Sequence, residues 1–153
     1  MPKAKAPLIS SIILASTMGV HPSIAAEATG FTMYSENTSR CTDECVVDFG
    51  VVPEKHDYEI RFISCRARTS NNVSLFGWTF MARKLGKGID STAELRPVIV
   101  SSGANMFYVA TENVLLFVPA GRRMTVTLLR FGTQGFISSL ECTISGYDTA
   151  RGR

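Results

Sequence analysis

The chain has 153 residues, and its 16 basic and 13 acidic side chains give a formal net charge of +3 at pH 7. This charge is too small to steer the protein toward nucleic acid, so we expect no nucleic-acid partner. The length suits one ordinary domain with its own hydrophobic core, and no internal repeat or low-complexity tract indicates a second one.

The N-terminal segment, residues 1–28, has the features of a secretory signal peptide. Two lysines precede the run 8–20, which is apolar or small except for serine and threonine. This run of 13 residues is too short to span a bilayer, for which about 20 apolar residues are needed. Small residues follow, and we expect cleavage after Ala25 or Ala28. The alternative, an N-terminal helix of the mature fold, is disfavoured because the segment has no polar stripe to face water.

A cleaved leader predicts a protein that is periplasmic or secreted. No cysteine directly follows the apolar run, so we expect no lipid anchor, and no later stretch is apolar for long enough to span a membrane. Removing residues 1–28 takes away two lysines and one glutamate, which leaves 14 basic and 12 acidic side chains. The net charge falls to +2, and His56 is the histidine that remains.

Four cysteines follow the leader, and an even number in an exported chain indicates disulfides because such compartments oxidise thiols. Of the three pairings that four cysteines allow, alternation along the chain favours one. It turns Cys65 and Cys142 inward, which predicts a Cys65–Cys142 bridge across the core. Cys41 and Cys45 flank a polar turn that can bring them within disulfide reach. The spacing lacks the paired Cys-x2-Cys of most zinc sites, so we expect no metal site and no cofactor.

Apolar and polar residues alternate with period two along the rest of the chain, and no long segment shows helical spacing. We therefore predict an all-β fold, a single antiparallel β-sandwich or partly closed barrel over residues 29–153, with about seven to eight strands. Residues 29–40 form a loose arm or a first strand, and the tail after Tyr147 is frayed. The predicted strands lie at 46–52, 58–68, 74–82, 95–101, 105–110, 113–118, around 124–128, and from 136 to about 145.

Two local patterns refine the strand assignment. Within strand 58–68 the apolar side changes between Phe62 and Ile63, which indicates a β-bulge or a strand that crosses between sheets. Residues 84–91 are predicted as a loop. Pro97 near the start of its strand indicates a position at a sheet edge, because proline cannot donate a backbone hydrogen bond to a ladder.

The C-terminal third carries a resemblance. The motif Val118-Pro119-Ala120-Gly121, then a β-strand, then Cys142 and Ser145-Gly146-Tyr147, resembles small exported bacterial β-sandwich proteins of unknown function. The similarity also includes Val52-Pro53 at the entry to an earlier strand. It implies a fold and an exported location, and it implies no activity.

The sequence contains no recognisable catalytic constellation, so we predict that the protein is not an enzyme. His56 lies in the polar segment 54–57 and is predicted to be a surface loop residue. Paired carboxylates occur at Asp43 and Glu44, inside the small disulfide loop. Gly-x-Ser-x-Gly and phosphate-binding glycine motifs are absent from the sequence.

Three residues are candidates for ligand binding, namely Trp78, Arg66 and Arg68. Trp78 alternates with Phe76 and Phe80, and these rings form a sugar-binding platform if they are exposed, although such a set more often builds a core. Arg66 and Arg68 belong to a larger group of basic residues that neighbouring strands can gather to contact an anionic glycan or lipid headgroups. The alternative for them is an ordinary solvated face. The other members of the group are Arg61, Arg83, Lys84 and Lys87.

These observations favour an exported, non-enzymatic binding or interaction module whose partner is a glycan, another envelope component or another protein. The first alternative is a structural or adhesive surface component that assembles through edge strands, motivated by the Pro97 strand and the N-terminal arm. The second alternative is a hydrolase of unrecognised type that uses His56 or the Asp43–Glu44 pair.

Overall fold

The computed structural model describes residues 28–70, 73–101, 105–131 and 135–150. The predicted signal peptide therefore lies outside the described residues, apart from Ala28. The described part contains β-strands and no helix. The strands are β1 (Ala28–Asn37), β2 (Glu44–Val51), β3 (His56–Ser70), β4 (Ser74–Lys84), β5 (Ile89–Leu95), β6 (Val98–Ser101), β7 (Asn105–Val118), β8 (Arg122–Phe131) and β9 (Ile137–Ala150).

The strands form two antiparallel sheets, one ordered β1-β9-β3-β7-β6 and the other β2-β8-β4-β5. The predicted β-sandwich is confirmed, and the two sheets do not close into a barrel. Alternate side chains of both sheets meet in one core, as period-two burial requires. Its largest fully buried members include Trp78, Phe80, Ile60, Ile63, Met124, Leu128, Leu140 and Ile144. No helix in the described ranges has the length and apolar character needed to cross a bilayer.

The predicted change of face within β3 is confirmed as a β-bulge. The register of β3 shifts between Ile60 and Phe62 against both of its neighbours, β7 and β9. Ile60 and Ile63 are both buried, although their spacing is odd, because the bulge takes up one residue between them. The bulge leaves Arg61 exposed, and Gly146 of β9 lies opposite Ile60.

The region around Pro97 differs from the prediction. Residues 84–91 are not wholly a loop, since β5 begins at Ile89. The predicted strand 95–101 is divided at Arg96 and Pro97 into β5 and β6, which belong to different sheets. Proline cannot continue the ladder, so the chain changes sheets there. The expected edge position is confirmed, since β5 and β6 each form the outer strand of a sheet.

Three other strands extend further, or are more regular, than the sequence predicted. The strands expected at 105–110 and 113–118 are one strand, because β3 continues to pair through Thr111 and Glu112. The expected frayed tail is wrong as far as Ala150, since β1 and β3 pair with β9 from both sides. Of the two possibilities for residues 29–40, a loose arm or a first strand, the strand is confirmed: β1 pairs with β9 along its whole length. Neighbouring strands thus order segments whose own composition is weakly apolar.

Side chains bridge the two sheets where their edges meet. Ser35 donates a hydrogen bond to the carbonyl oxygen of Asp48 at 2.8 Å, and Asn37 Nδ2 donates to that of Val46 at 2.9 Å. On the other side of the sandwich, Ser91 of β5 donates to the carbonyl oxygen of Phe117 at 2.9 Å, in the part of β7 that β6 does not pair with. These bonds use backbone acceptors that an added strand would otherwise occupy. The edge-strand assembly hypothesis stays a prediction, with the exposed apolar strand β6 as the edge most open to it.

The cysteines are joined as two pairs. Cys41 bonds to Cys45 with a Cα–Cα separation of 5.4 Å, and Cys65 bonds to Cys142 with a separation of 4.1 Å. The sequence suggested that the second bridge crosses the core between the two sheets, and this is wrong. Cys65 and Cys142 are directly opposite each other on β3 and β9, so the bridge fastens neighbouring strands of one sheet.

Candidate functional site

The outer face of the five-stranded sheet is the surface turned away from the core. On β3, Ile63, Cys65 and Ala67 are buried, so the alternating residues Ser64, Arg66 and Arg68 belong to the outer face. Residues directly opposite in an antiparallel ladder share a face. The register of β1, β9, β7 and β6 therefore shows which other side chains this face carries.

A groove of about 660 Å³ opens at one end of this face, next to the bulge in β3. Gly30 of β1 lies opposite Tyr147 of β9 and has no side chain to fill the space. Tyr147 is 48% exposed, so much of its ring is available to a ligand. The groove is lined by Gly30, Phe31, Thr32, Arg61, Ser145, Gly146 and Tyr147.

Arg61 is held by Glu59 within the same strand. Its Nε donates a hydrogen bond to Glu59 Oε1, and its Nη2 forms an ion pair with the same oxygen. Glu59 lies directly opposite Tyr147 in the ladder. A guanidinium and a carboxylate therefore present donors and acceptors beside an exposed aromatic ring.

A second exposed ring lies in the same cross-strand row. Phe117 of β7 is opposite Glu59 on the other side, and it is 62% exposed. Two strand spacings separate Phe117 from Tyr147, which is about 10 Å. The row Phe117–Glu59–Tyr147–Gly30 thus carries two rings with a carboxylate between them.

A band of hydroxyl groups crosses the middle of the outer face. Ser64 and Thr111 are opposite each other, and their hydroxyl oxygens are 3.0 Å apart in a hydrogen bond. The band continues on β9 and β1 in the rows that pair with Ser64 and Phe62. Its other members are Thr32, Tyr34, Thr143 and Ser145.

Within this band, the phenol of Tyr34 has a raised pKa. Its phenol donates a 2.6 Å hydrogen bond to Glu36 Oε2, and this bond, with smaller contributions from desolvation and from the charges of Glu36 and Glu141, raises the pKa of Tyr34 to about 12. Loss of the phenolic proton removes the hydrogen bond and places two negative charges together. Tyr34 therefore stays a neutral hydrogen-bonding group up to strongly alkaline pH.

A spectrophotometric titration tests this geometry. We expect the Tyr34 phenol to ionise near pH 12 in the wild-type protein and its share of the absorbance change to be missing in Tyr34→Phe, while Tyr58 and Tyr108, whose pKa values burial also raises, titrate in both proteins. Glu36→Gln should move that transition down toward the ordinary value of about 10, because the charged acceptor is gone. An unchanged alkaline transition in Glu36→Gln would contradict the assignment.

The other end of the outer face carries the two arginines predicted from the sequence. The guanidinium carbon of Arg66 lies 4.7 Å from the centroid of the Phe107 ring, and that of Arg68 lies 5.8 Å from it. Both arginines are exposed, and neither takes part in an ion pair within the described ranges. The structure thus brings Arg66 and Arg68 together, whereas Arg83 and Lys84 lie on β4 of the other sheet.

Trp78 does not contribute to a surface site. It has 0% exposed surface and belongs to the core with Phe80, so the core interpretation is confirmed and the stacking platform is wrong. The side chain of Phe76 is not among those that the structure describes. Trp78 faces inward because its ladder partners Leu128 and Leu95 are buried residues of the same core.

The residues considered for hydrolysis lie apart from the groove. His56 is the first residue of β3 and not a loop residue, and its Nδ1 is 2.8 Å from Asp148 Oδ1 and 2.9 Å from Asp148 Oδ2. Asp43 forms a 3.5 Å ion pair with Arg130. No three His, Cys, Asp or Glu side chains converge as a metal site in the part of the chain that the structure describes. The hydrolase alternative stays a prediction.

Sequence reasoning missed Tyr147 and Phe117 as site residues. Tyr147 lies in the Ser145-Gly146-Tyr147 motif, which drew attention to this segment but did not indicate a binding site. Phe117 lies in the apolar run before Pro119, where composition favours a buried position. The register that joins them through Glu59 links positions that are far apart in the chain.

No protein-family model matches this chain, and no curated protein sequence matches it. The resemblance to exported bacterial β-sandwich proteins therefore stays a prediction.

Proposed function

We propose that this protein is an exported, non-enzymatic domain that binds a polysaccharide chain on the outer face of its five-stranded sheet. The observation that carries the proposal is the groove beside the β3 bulge, where the exposed ring of Tyr147 lies next to Arg61 and two hydroxyl side chains, Thr32 and Ser145. Aromatic rings and a few placed polar groups are the usual lining of sites that orient a small ligand.

The lining suits a sugar ring better than a purely apolar or a purely charged ligand. A sugar ring has an apolar face of C–H groups, which stacks on an aromatic ring such as Tyr147, and a rim of hydroxyls. The Arg61–Glu59 pair offers both donors and acceptors to such hydroxyls, and its opposite charges largely offset each other. Phe117, in the same row, offers a second ring to a longer chain.

The shape of the face supports an elongated ligand. The long strands β3, β7 and β9 lie side by side, and the hydroxyl band continues from the groove across them. A sheet surface of this kind supports a chain along its length rather than enclosing one small molecule. The two disulfides support a location outside the reducing cytoplasm, where the predicted signal peptide would deliver the protein.

Replacing Tyr147 with alanine tests the proposal. We expect Tyr147→Ala to weaken polysaccharide binding about 30-fold, equivalent to about 2 kcal/mol, because a central aromatic contact is lost. Tyr147→Phe should keep most of the affinity, since the ring that stacks is retained. The measurement is affinity electrophoresis through gels that contain a panel of neutral and acidic polysaccharides, followed by calorimetry on those that retard the protein.

The matched control is Ile89→Ala, which removes a similarly exposed apolar side chain from β5 of the other sheet. Its affinity should equal that of the wild type. A wild-type protein that no polysaccharide retards, or a Tyr147→Ala variant that binds as well as the wild type, would refute the proposed function.

A further inference from the structure

The end of the outer face opposite the groove is an arginine patch, which we define as Arg66, Arg68 and the Phe107 ring beneath them. Phe107 is the ladder partner of Arg68, and Val109 is that of Arg66. Both guanidinium groups lie within cation–π distance of one ring. The ring fixes where the two charges are held.

The patch has capacity for a carboxylate. Stacking uses the flat face of a guanidinium group and leaves its N–H edge free for a planar, two-oxygen acceptor. Neither Arg66 nor Arg68 forms an ion pair among the described residues, in contrast with Arg61, which is bound to Glu59. The patch therefore differs from the groove by having positive charge that the protein does not neutralise by direct contact.

Among the described residues of the outer face, acidic side chains lie on one side of the patch. Glu141 of β9 is opposite Arg66, and Glu36 of β1 is opposite Glu141. The positive charge is therefore strongest on the β3–β7 side, toward Arg68. Arg40, whose guanidinium carbon is 4.2 Å from the centroid of the Phe136 ring, adds a third cation at the same end of the sheet.

The groove and the arginine patch are aligned along the strands. Tyr147 and Glu141 are six residues apart on β9, which corresponds to about 20 Å at the rise of a strand. The hydroxyl band lies between them on the same face. A single linear polymer can therefore contact the rings at one end and the arginines at the other.

We propose that the polysaccharide bound by this protein is acidic, with carboxylates of uronic acid units held by Arg66 and Arg68 while another part of the same chain lies in the Tyr147 groove. This inference rests on the proposed function and adds the chemical class of the ligand. Arg66 and Arg68 recognise the negative charge of the polymer, and the Tyr147 groove recognises its sugar ring.

The experiment compares polygalacturonate with its fully methyl-esterified form, which keeps the sugar rings and removes the negative charge. Affinities of both polymers are measured at low salt for the wild-type protein and for the double variant Arg66→Gln, Arg68→Gln. We expect the wild type to prefer the acidic polymer. The double variant should lose about tenfold in affinity for polygalacturonate and bind the ester as the wild type does, because two charge-assisted contacts are removed.

A second double variant, Arg83→Gln with Lys84→Gln, removes two exposed positive charges from the other sheet and serves as the matched control. It should keep the wild-type affinity for polygalacturonate. Equal wild-type affinities for the acid and the ester, or the same loss in both double variants, would overturn the acidic-ligand proposal. If Tyr147→Ala still weakened binding of the ester in that case, the proposed function would stand.

Two further outcomes overturn this proposal. If neither polymer binds, both the acidic ligand and the proposed function lose their support. If vesicles containing phosphatidylglycerol bind in a manner that depends on Arg66 and Arg68, while polygalacturonate does not, the patch recognises a lipid surface instead. Thermal unfolding of each variant confirms that these exposed substitutions leave the fold intact.

Discussion

Replacing Cys65 and Cys142 together with alanine should lower the free energy of unfolding by about 4 kcal/mol. The bridge joins residues separated by 77 positions, and closing so long a loop removes much of the conformational entropy of the unfolded chain. A loss of this size is a large part of the total stability of an ordinary domain, which is about 5–15 kcal/mol. We therefore expect the variant to be at best marginally folded at 37 °C.

The bridge between Cys41 and Cys45 provides the internal comparison. These residues are separated by only 4 positions, so the same reasoning gives a loss of about 2 kcal/mol when both become alanine. Urea unfolding, followed by fluorescence of the buried Trp78, measures both losses. Equal losses for the two double variants would show that loop length does not control the contribution of these bridges.

Gly146→Ala should cost about 3 kcal/mol of stability, because the added methyl group has no space. A Cβ at this position would overlap the carbonyl group of Glu59 and touch the Cα of Ile60, all of them backbone atoms of the adjacent strand. The β3 bulge brings this backbone toward β9, and backbone cannot turn aside as a flexible side chain can. The two strands must separate locally, next to the groove.

The matched control for this change is Gly30→Ala. Gly30 lies in the same sheet and lines the same groove, but a Cβ there meets no atom within 4 Å. Its stability should stay within about 0.5 kcal/mol of the wild type. Denaturant midpoints of both variants supply the test, and a Gly146→Ala variant as stable as Gly30→Ala would contradict the close approach of β3 and β9.

Side-chain hydrogen bonds hinder strand addition along part of the sheet edges, whereas β6 stays open to it. Ser35, Asn37 and Ser91 donate hydrogen bonds to the backbone where the edges of the two sheets meet. Such bonds reduce the number of free acceptors available to an incoming strand. The outer face of the five-stranded sheet, by contrast, carries exposed rings and unpaired cations that nothing else in the described structure explains.

Much of the fold could be predicted because its signals are local. Period-two alternation predicted a strand around 124–128, and its alternate residues Met124, Val126 and Leu128 are all fully buried. The change of apolar side after Phe62 predicted either a bulge or a strand that crosses between sheets, and the register shift against both neighbours shows the bulge. The clustering of aromatics around Trp78 favoured a core, as the structure shows.

Segments that depend on a neighbour were less predictable. Thr111 and Glu112 are polar and looked like a break between strands, yet β3 pairs with both of them. Residues 148–150 looked frayed, yet β3 pairs with all three of them and β1 pairs with Asp148 and Thr149. In each case the stabilising contacts come from strands that are distant in sequence, so local composition carries little information about the outcome.

Residue type and short-range spacing were enough to predict the all-β fold class, the candidate arginines and, within β3, either a bulge or a crossing between sheets. The folded chain chose the bulge and assembled the candidate site. It placed Tyr147 opposite Glu59 and Phe117 beyond it, set Arg66 and Arg68 on one aromatic ring, and buried Trp78. The physical reason is that a binding face on a sheet is made of cross-strand neighbours, and strand order and register are properties of the folded chain.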